Sequence, residues 1–115
     1  MLHAVFSFVE NIVEEHDQVL SNGLREHRFL LAYFSTPTCN VCKVLRPKVE
    51  QLAARLEEVG FVYIDSSEHA EIAGQHTVFA VPTIILFHEG RELRRFSRNV
   101  SVYDIEQALE RYLGM

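Results

Sequence analysis

Apolar residues recur along the chain in two patterns, and together they predict alternating helices and strands. Spacing of three and four residues, typical of helices with one buried face, occurs over residues 5–21, from the first cysteine to Gly60, and after Ser101. Segments of strand length, bounded by turn residues, occupy residues 29–34, 61–64, 83–87 and 93–96. A short helix after residues 65–67 completes the predicted order α-β-α-β-α-β-β-α.

Capping and turn residues predict where these helices begin and end. Gly23 is expected to end the first helix in the left-handed backbone conformation, and Gly60 and Gly74 to end the next two. Residues 65–67 (Asp-Ser-Ser) are expected to cap the short helix. Ser101, followed three residues later by an acidic residue, is expected to open the last helix.

The element order predicts an α/β fold with one mixed four-stranded sheet and helices on both of its faces. Crossover helices between the first three strands are expected to make those strands parallel. The turn at residues 88–91 is expected to join the last two strands as a hairpin. A chain of 115 residues is large enough for one core, so we predict a single domain over residues 1–115.

Composition excludes several classes of function. A net charge of -5 gives no electrostatic reason to bind nucleic acid, and no apolar run is long enough to cross a membrane. The first residues lack the basic segment and cleavage site of a signal peptide. We therefore expect a cytoplasmic monomer. The one basic cluster, at Arg91, Arg94, Arg95 and Arg98, would protect a sheet edge against aggregation or dock an acidic partner.

Both cysteines of the chain, Cys39 and Cys42, lie where a predicted strand gives way to a helix. The unpaired N–H groups and the dipole of a helix N-terminus favour a thiolate, which is the nucleophile in disulfide exchange. Cys39, nearer the helix end, is expected to attack, and Cys42 to resolve. The pair could instead be buried apolar residues or zinc ligands. Because none of the six histidines shows ligand spacing, we predict no metal site.

In four features, the chain resembles the thioredoxin family over nearly all its length. They are the Cys39–Cys42 pair at a strand-to-helix corner, Pro47 after it, Pro82 at the start of a strand, and the turn at residues 87–90. The resemblance implies a thioredoxin-like fold. It also implies that the peptide bond before Pro82 is cis and packs beside the cysteines, although a trans proline opening an edge strand would fit the same sequence.

The family likeness further implies a substrate site around the cysteines. The backbone of Val81 is expected to pair with an extended substrate segment. The residues placed at this site are Thr38, Asn40, Val41, Val81, Pro82 and Arg98. Arg98 aligns near a glycine of the family and would make the rim bulkier and more basic.

Between and beside the cysteines the chain departs from the family. Asn40 and Val41 replace a Gly-Pro pair, and Ser35 and Thr38 replace two tryptophans. Because Val41, unlike proline, keeps its N–H, one more hydrogen-bond donor is expected near the Cys39 sulfur.

Tyr33 and Phe61 stand where the family has a buried aspartate and its partner lysine. Loss of both partners avoids leaving one charge unpaired in the core. The aspartate is thought to relay a proton for the second cysteine, so Cys42 must use water or another group. We expect Tyr33 and Phe61 to be core residues.

These observations predict a thiol–disulfide oxidoreductase that acts on protein disulfides, holds no cofactor and is recycled by a separate disulfide reductase. The alternative is a redox-inactive or slow interaction module on the same fold. A glutaredoxin using glutathione is a further alternative, but the expected Gly-Gly after the strand that follows Pro82 is missing.

Overall fold

The computed structural model describes residues 19–114, in which four helices surround one four-stranded sheet. The strands are β1 (Phe29–Ser35), β2 (Val59–Asp65), β3 (Thr83–His88) and β4 (Arg91–Ser97). The helices are α1 (residues 19–26), α2 (Asn40–Ala54), α3 (Ala70–Gln75) and α4 (Val102–Leu113). The predicted element order is confirmed, and residues 5–18 of the predicted first helix lie outside the described range.

The strands lie in the order β2-β1-β3-β4. β1 is parallel to β2, with Phe29 opposite Val59, and antiparallel to β3, with Phe34 opposite Thr83. The prediction that the first three strands are parallel is therefore wrong for β3. The six residues of α3 span about 9 Å, less than half the length of a seven-residue strand. The chain therefore starts β3 at the end of the sheet where β2 finished.

Two glycines that were predicted to end helices, Gly23 and Gly60, do not do so. Gly23 lies inside α1, where its carbonyl accepts the N–H of His27 at 3.1 Å, and its φ is not positive. A Cβ there would lie 3.0 Å from Leu30 Cδ1, so the glycine allows α1 to approach the sheet. Gly60 lies inside β2, because α2 already ends at Ala54. Sequence alone did not reveal these packing roles.

The start of α3 also differs from the prediction. Asp65 ends β2, and its carboxylate accepts hydrogen bonds from the N–H and hydroxyl of Ser67, at 2.9 and 2.6 Å. These bonds make a turn before the helix, whose N-cap is His69. The capping residue is thus displaced because the Asp65 carboxylate bonds to Ser67 in a turn that precedes the helix.

Other local predictions are confirmed. Ser101 caps α4, with its hydroxyl accepting the N–H of Asp104 at 3.2 Å. Glu89 and Gly90, at φ of 51° and 85°, form the two-residue loop of the β3–β4 hairpin. Positive φ at both loop residues matches the turn type that twisted strands favour.

Apolar residues fill both faces of the sheet, as the predicted fold requires. On one face α2 and α4 pack against β1 and β3. On the other face α1 and α3 cover the alternate residues of the same strands. β1 is buried along its whole length, and its carboxyl end leads directly to the two cysteines.

Candidate active site

The site begins at the corner between β1 and α2. Three residues separate Ser35, the last of β1, from Cys39, which is the N-cap of α2. The N–H of Cys39 donates to the carbonyl of Thr36 at 3.2 Å, and the N–H of Ser66 donates to the carbonyl of Ser35 at 2.8 Å. The first bond closes the turn between β1 and α2, and the second joins that turn to the end of β2. Together they fix the position at which α2 starts.

Cys39 and Cys42 are joined by a disulfide across the first turn of α2, with their Cα atoms 5.2 Å apart. The two sulfurs have different surroundings, because Cys42 is only 1% exposed whereas Cys39 is half-buried. A reagent can therefore approach Cys39 but not Cys42. This asymmetry is what an attacking and a resolving cysteine require.

The hydrogen bond to the Cys39 sulfur comes from the N–H of Cys42, at 3.2 Å. In this disulfide form the donor is Cys42 and not Val41, so the expectation for Val41, which concerned the thiolate, stays a prediction. An N-cap side chain accepts from the second or third helical residue, and Cys42 is the third. No acidic residue lies in this first turn, so nothing there offsets the positive end of the helix.

Tyr33 lies beneath the first turn of α2, fully buried in the middle of β1. Its hydroxyl donates to the carbonyl of Cys42 at 2.7 Å. Its ring lies near the rings of Phe61 and Tyr63, at centroid distances of 5.9 and 6.2 Å. Burial, reinforced by Tyr63, raises the pKa of Tyr33 to about 12, so the hydroxyl stays protonated near neutral pH.

This geometry confirms that Tyr33 belongs to the core, whereas Phe61 is only partly buried and packs against it. The contact of Tyr33 with Cys42 was not predicted. The signal for it was present in the sequence. A buried tyrosine hydroxyl usually has a hydrogen-bond partner, and Tyr33 is the one hydroxyl inside the apolar run 29–34. What the sequence did not give was the identity of that partner.

Pro82 is buried at the start of β3, and the Val81–Pro82 peptide bond is cis, as the family resemblance predicted. Beside it lies a groove of about 400 Å³, which Val81 and Thr36 share with residues of α3. Phe79 stands at its rim and is 86% exposed. The groove is thus an open apolar surface that reaches from the cysteine corner to the segment before Pro82.

A second groove, of about 450 Å³, lies between α2 and the start of α4. Val41 and Val44 line it from α2, and Tyr103 lines it from α4; all three are more than 60% exposed. Sequence analysis singled out Val41 but neither of the other two.

The remaining predicted site residues lie at the surface. Thr38 and Asn40 are exposed on either side of Cys39. Arg98 is exposed just after β4, with a φ of 63°, which is the conformation that favours glycine. Arg98 lines neither groove, although Val100, whose N–H donates to its carbonyl, lines the second one.

Within residues 19–114, no group of three or more potential ligands is arranged to hold a metal ion. Within the same range, no helix has the length and apolar character needed to cross a membrane.

Comparison with known proteins places this site in a family. The sequence profile described as Thioredoxin matches residues 7–111. The thioredoxin-like protein YdfQ of Bacillus subtilis is 33% identical over 92 residues, which are 80% of this chain and 82% of that protein. Thioredoxin of Echinococcus granulosus is 34% identical over 86 residues, which are 74% of this chain and 80% of that protein.

Solved structures agree with the sequence matches. Thioredoxin 1 of Thermosipho africanus superposes with a TM-score of 0.71 and 34% identity, covering 74% of this chain and 94% of that one. Three features of the structure agree with these matches: the sheet order, the disulfide at the start of α2 and the cis proline before β3. The chain therefore belongs to the thioredoxin family.

Proposed function

We propose that this chain is a thiol–disulfide oxidoreductase that exchanges its Cys39–Cys42 pair with disulfides of protein substrates. The observation that carries the proposal is the disulfide at the N-terminus of α2, in which Cys39 is accessible and Cys42 is buried. Family membership supports redox activity, and the different exposure of the two sulfurs supports a division of labour between them.

In the proposed reaction the Cys39 thiolate attacks a substrate disulfide and forms a mixed disulfide, releasing one substrate thiolate. Cys42 then loses its proton and attacks the Cys39 sulfur, which releases the second substrate thiolate. The substrate gains two electrons and the enzyme becomes the Cys39–Cys42 disulfide. Since Tyr33 is protonated near neutral pH, water is the proposed acceptor for the Cys42 proton.

Substrate binding is proposed for the surface around the disulfide. The backbone of Val81, next to the cis peptide bond, would pair with an extended substrate segment. The residues proposed to contact the rest of the substrate are Thr38, Asn40, Val41, Pro82 and Arg98. The two exposed apolar grooves support this, since they flank the segments that carry Val81 and Val41.

The proposed cellular role is electron transport for redox homeostasis in the cytoplasm, where thiols are kept reduced. A separate disulfide reductase would return the Cys39–Cys42 pair to the dithiol. The chain would act as a monomeric single domain without a cofactor.

The test is reduction of insulin by dithiothreitol, followed as turbidity. The wild-type chain should accelerate precipitation and Cys39→Ser should abolish that effect. Cys42→Ser is the matched variant, because it keeps Cys39 and should accumulate the mixed disulfide. A wild-type trace no faster than dithiothreitol alone, or full activity of Cys39→Ser, would contradict the proposal.

The second candidate is a slow or redox-inactive interaction module on the thioredoxin fold. It is favoured by one observation, the replacement of a carboxylate beneath the cysteines by Tyr33, which provides no base near neutral pH. A flat insulin trace at high protein concentration would support this candidate.

A further inference from the structure

The hydroxyl of Tyr33 is held in place by the centre of the sheet. Tyr33 pairs with Tyr63 of β2 on one side and with Ile84 of β3 on the other, and it is 0% exposed. A side chain fixed in this way cannot move away without disturbing three strands. Its bond to the Cys42 carbonyl therefore connects the first turn of α2 to a fully buried strand that is paired on both sides.

The carbonyl that receives this hydrogen bond belongs to the peptide group between Cys42 and Lys43. The N–H of the same peptide group donates to the carbonyl of Cys39 at 3.2 Å. Tyr33, this peptide group and Cys39 thus form a continuous chain of hydrogen bonds, in which each bond polarises the next. Through this chain the sheet holds the backbone of Cys39, and the N–H of Cys42 holds its sulfur.

The helix itself is weakened just above this turn. Pro47 lies inside α2 and has no N–H, so the carbonyl of Lys43 lacks its usual donor four residues later. The first turn is consequently less firmly joined to the rest of α2 than in an uninterrupted helix. The bond from Tyr33 attaches the carbonyl of Cys42, one residue before the Lys43 carbonyl that Pro47 leaves without its helical donor.

We propose that Tyr33 is a positioning residue that holds the first turn of α2 together when the disulfide is opened, and so favours the dithiol. The inference rests on the proposed exchange function. In the disulfide a covalent bond already joins Cys39 to Cys42, so the turn is secured without Tyr33. In the dithiol only hydrogen bonds secure it, and loss of the Tyr33 bond therefore costs the dithiol more than the disulfide.

The experiment measures the equilibrium of the pair with glutathione. Two glutathione thiols are oxidised to one glutathione disulfide as the Cys39–Cys42 disulfide becomes a dithiol. Tyr33→Phe keeps the ring and removes only the hydroxyl. It should shift the equilibrium toward the protein disulfide by about threefold to tenfold, the range expected for one hydrogen bond. A tenfold shift corresponds to about 30 mV.

Tyr63→Phe is the matched control, because it removes a hydroxyl from the adjacent, paired ring without changing the contact with Cys42. Its equilibrium constant should equal that of the wild type. A purely structural role for Tyr33 would destabilise disulfide and dithiol forms equally and leave the constant unchanged. An unchanged constant for Tyr33→Phe would therefore overturn the inference.

Two measurements keep the outcomes distinct. If Tyr33→Phe does not fold, hydrogen exchange of the Lys43 amide in the reduced wild type decides, because the inference requires this amide to stay protected. Exchange at the rate of an unstructured peptide would refute it. A wild type that equilibrates with glutathione but does not reduce insulin contradicts the proposed function alone, whereas equal constants for wild type and Tyr33→Phe contradict the positioning role alone.

Discussion

At the scale of single residues, the two sulfurs and the tyrosine beneath them have sharply different access to solvent. Cys39 is half-buried, Cys42 is 1% exposed and Tyr33 is fully enclosed. Solvent and substrate can therefore meet only one of the three polar groups directly. The other two act through the first turn of α2, Cys42 by its bond to the Cys39 sulfur and Tyr33 by its bond to the Cys42 carbonyl.

The buried Tyr33 hydroxyl makes stability sensitive to alkaline pH. Burial raises its pKa to about 12, whereas the pKa of a tyrosine in the unfolded chain is about 10. Between these values the unfolded chain loses a proton that the native protein keeps, so the free energy of unfolding falls as pH rises. The stability that comes from keeping the Tyr33 hydroxyl protonated is fully present below about pH 10. It is lost as the pH rises from there to about 12.

Urea unfolding of the wild type and Tyr33→Phe at a series of alkaline pH values measures this effect. The variant should lose less stability over the alkaline range than the wild type. Tyr103→Phe is the control, since Tyr103 is 63% exposed on α4, and it should behave like the wild type. An identical alkaline loss in wild type and Tyr33→Phe would mean that Tyr33 does not titrate in this way.

At the scale of elements, glycines have opposite roles in β2 and α3. A Cβ on Gly60 would lie 2.7 Å from Nε2 of His27 and closer still to other atoms of that ring. A Cβ on Gly74 would meet nothing within 4 Å. The first glycine is required by packing between β2 and the segment after α1, whereas the second only lowers helix propensity.

The two alanine variants should therefore change stability in opposite directions. Gly60→Ala should lower the free energy of unfolding by about 1–3 kcal/mol, because His27 must move. Gly74→Ala should raise it by about 0.5–1 kcal/mol, because alanine favours the helix. Thermal or urea unfolding measures both. A higher free energy of unfolding for Gly60→Ala would show that the His27 ring does not lie as close to β2 as in this structure.

Three members of the basic cluster, Arg91, Arg94 and Arg95, lie on β4, which is an edge strand, and Arg98 follows it. Arg95 joins that strand to the segment after α3. The Arg95 guanidinium donates to the carbonyls of His76 and Thr77, at 2.8 and 3.0 Å, and to the carboxylate of Glu92. The first two carbonyls follow α3 and precede the cis proline. Arg95 thus holds the segment that leads to Pro82, a role that neither of the alternatives drawn from sequence included.

Arg95→Ala should lower stability by about 1–2 kcal/mol at neutral pH, since it removes these bonds. The hydrogen bond from Arg95 holds the pKa of Glu92 below its usual value, so the contribution of the pair is present above that usual value and is lost as acid protonates Glu92. The difference between wild type and variant should therefore shrink in acid. Arg91→Ala, exposed at the start of β4, should show neither effect in urea unfolding at both pH values.

At the scale of the whole molecule, the sequence was sufficient to predict those features that depend only on residues close together in the chain. The cysteine corner, the hairpin loop at Glu89 and Gly90 and the Ser101 cap are local, and the structure has all three. The cis bond at Pro82 was predicted through the family likeness, because a single X-Pro sequence does not determine it.

Predictions failed where distant segments decide the outcome. The direction of β3 depends on how far α3 carries the chain, and the place of Gly60 depends on packing against His27. The partner of the Tyr33 hydroxyl lies nine residues away on another element. Hydrophobic spacing carries no information about such contacts, because they are set by how elements dock after they form.

The central position of β1 has a consequence for synthesis of the chain. Each residue of β1 pairs with a β2 residue thirty positions later, and β3, its other neighbour, comes later still. At roughly 5–20 residues per second, the apolar strand emerges roughly 1.5–6 s before β2. Nascent fragments ending before Val59 are therefore expected to aggregate, which pelleting of released fragments would measure against chains that include β2 and β3. The strand that supports the disulfide in the finished protein is thus expected to remain without both of its partner strands during this interval.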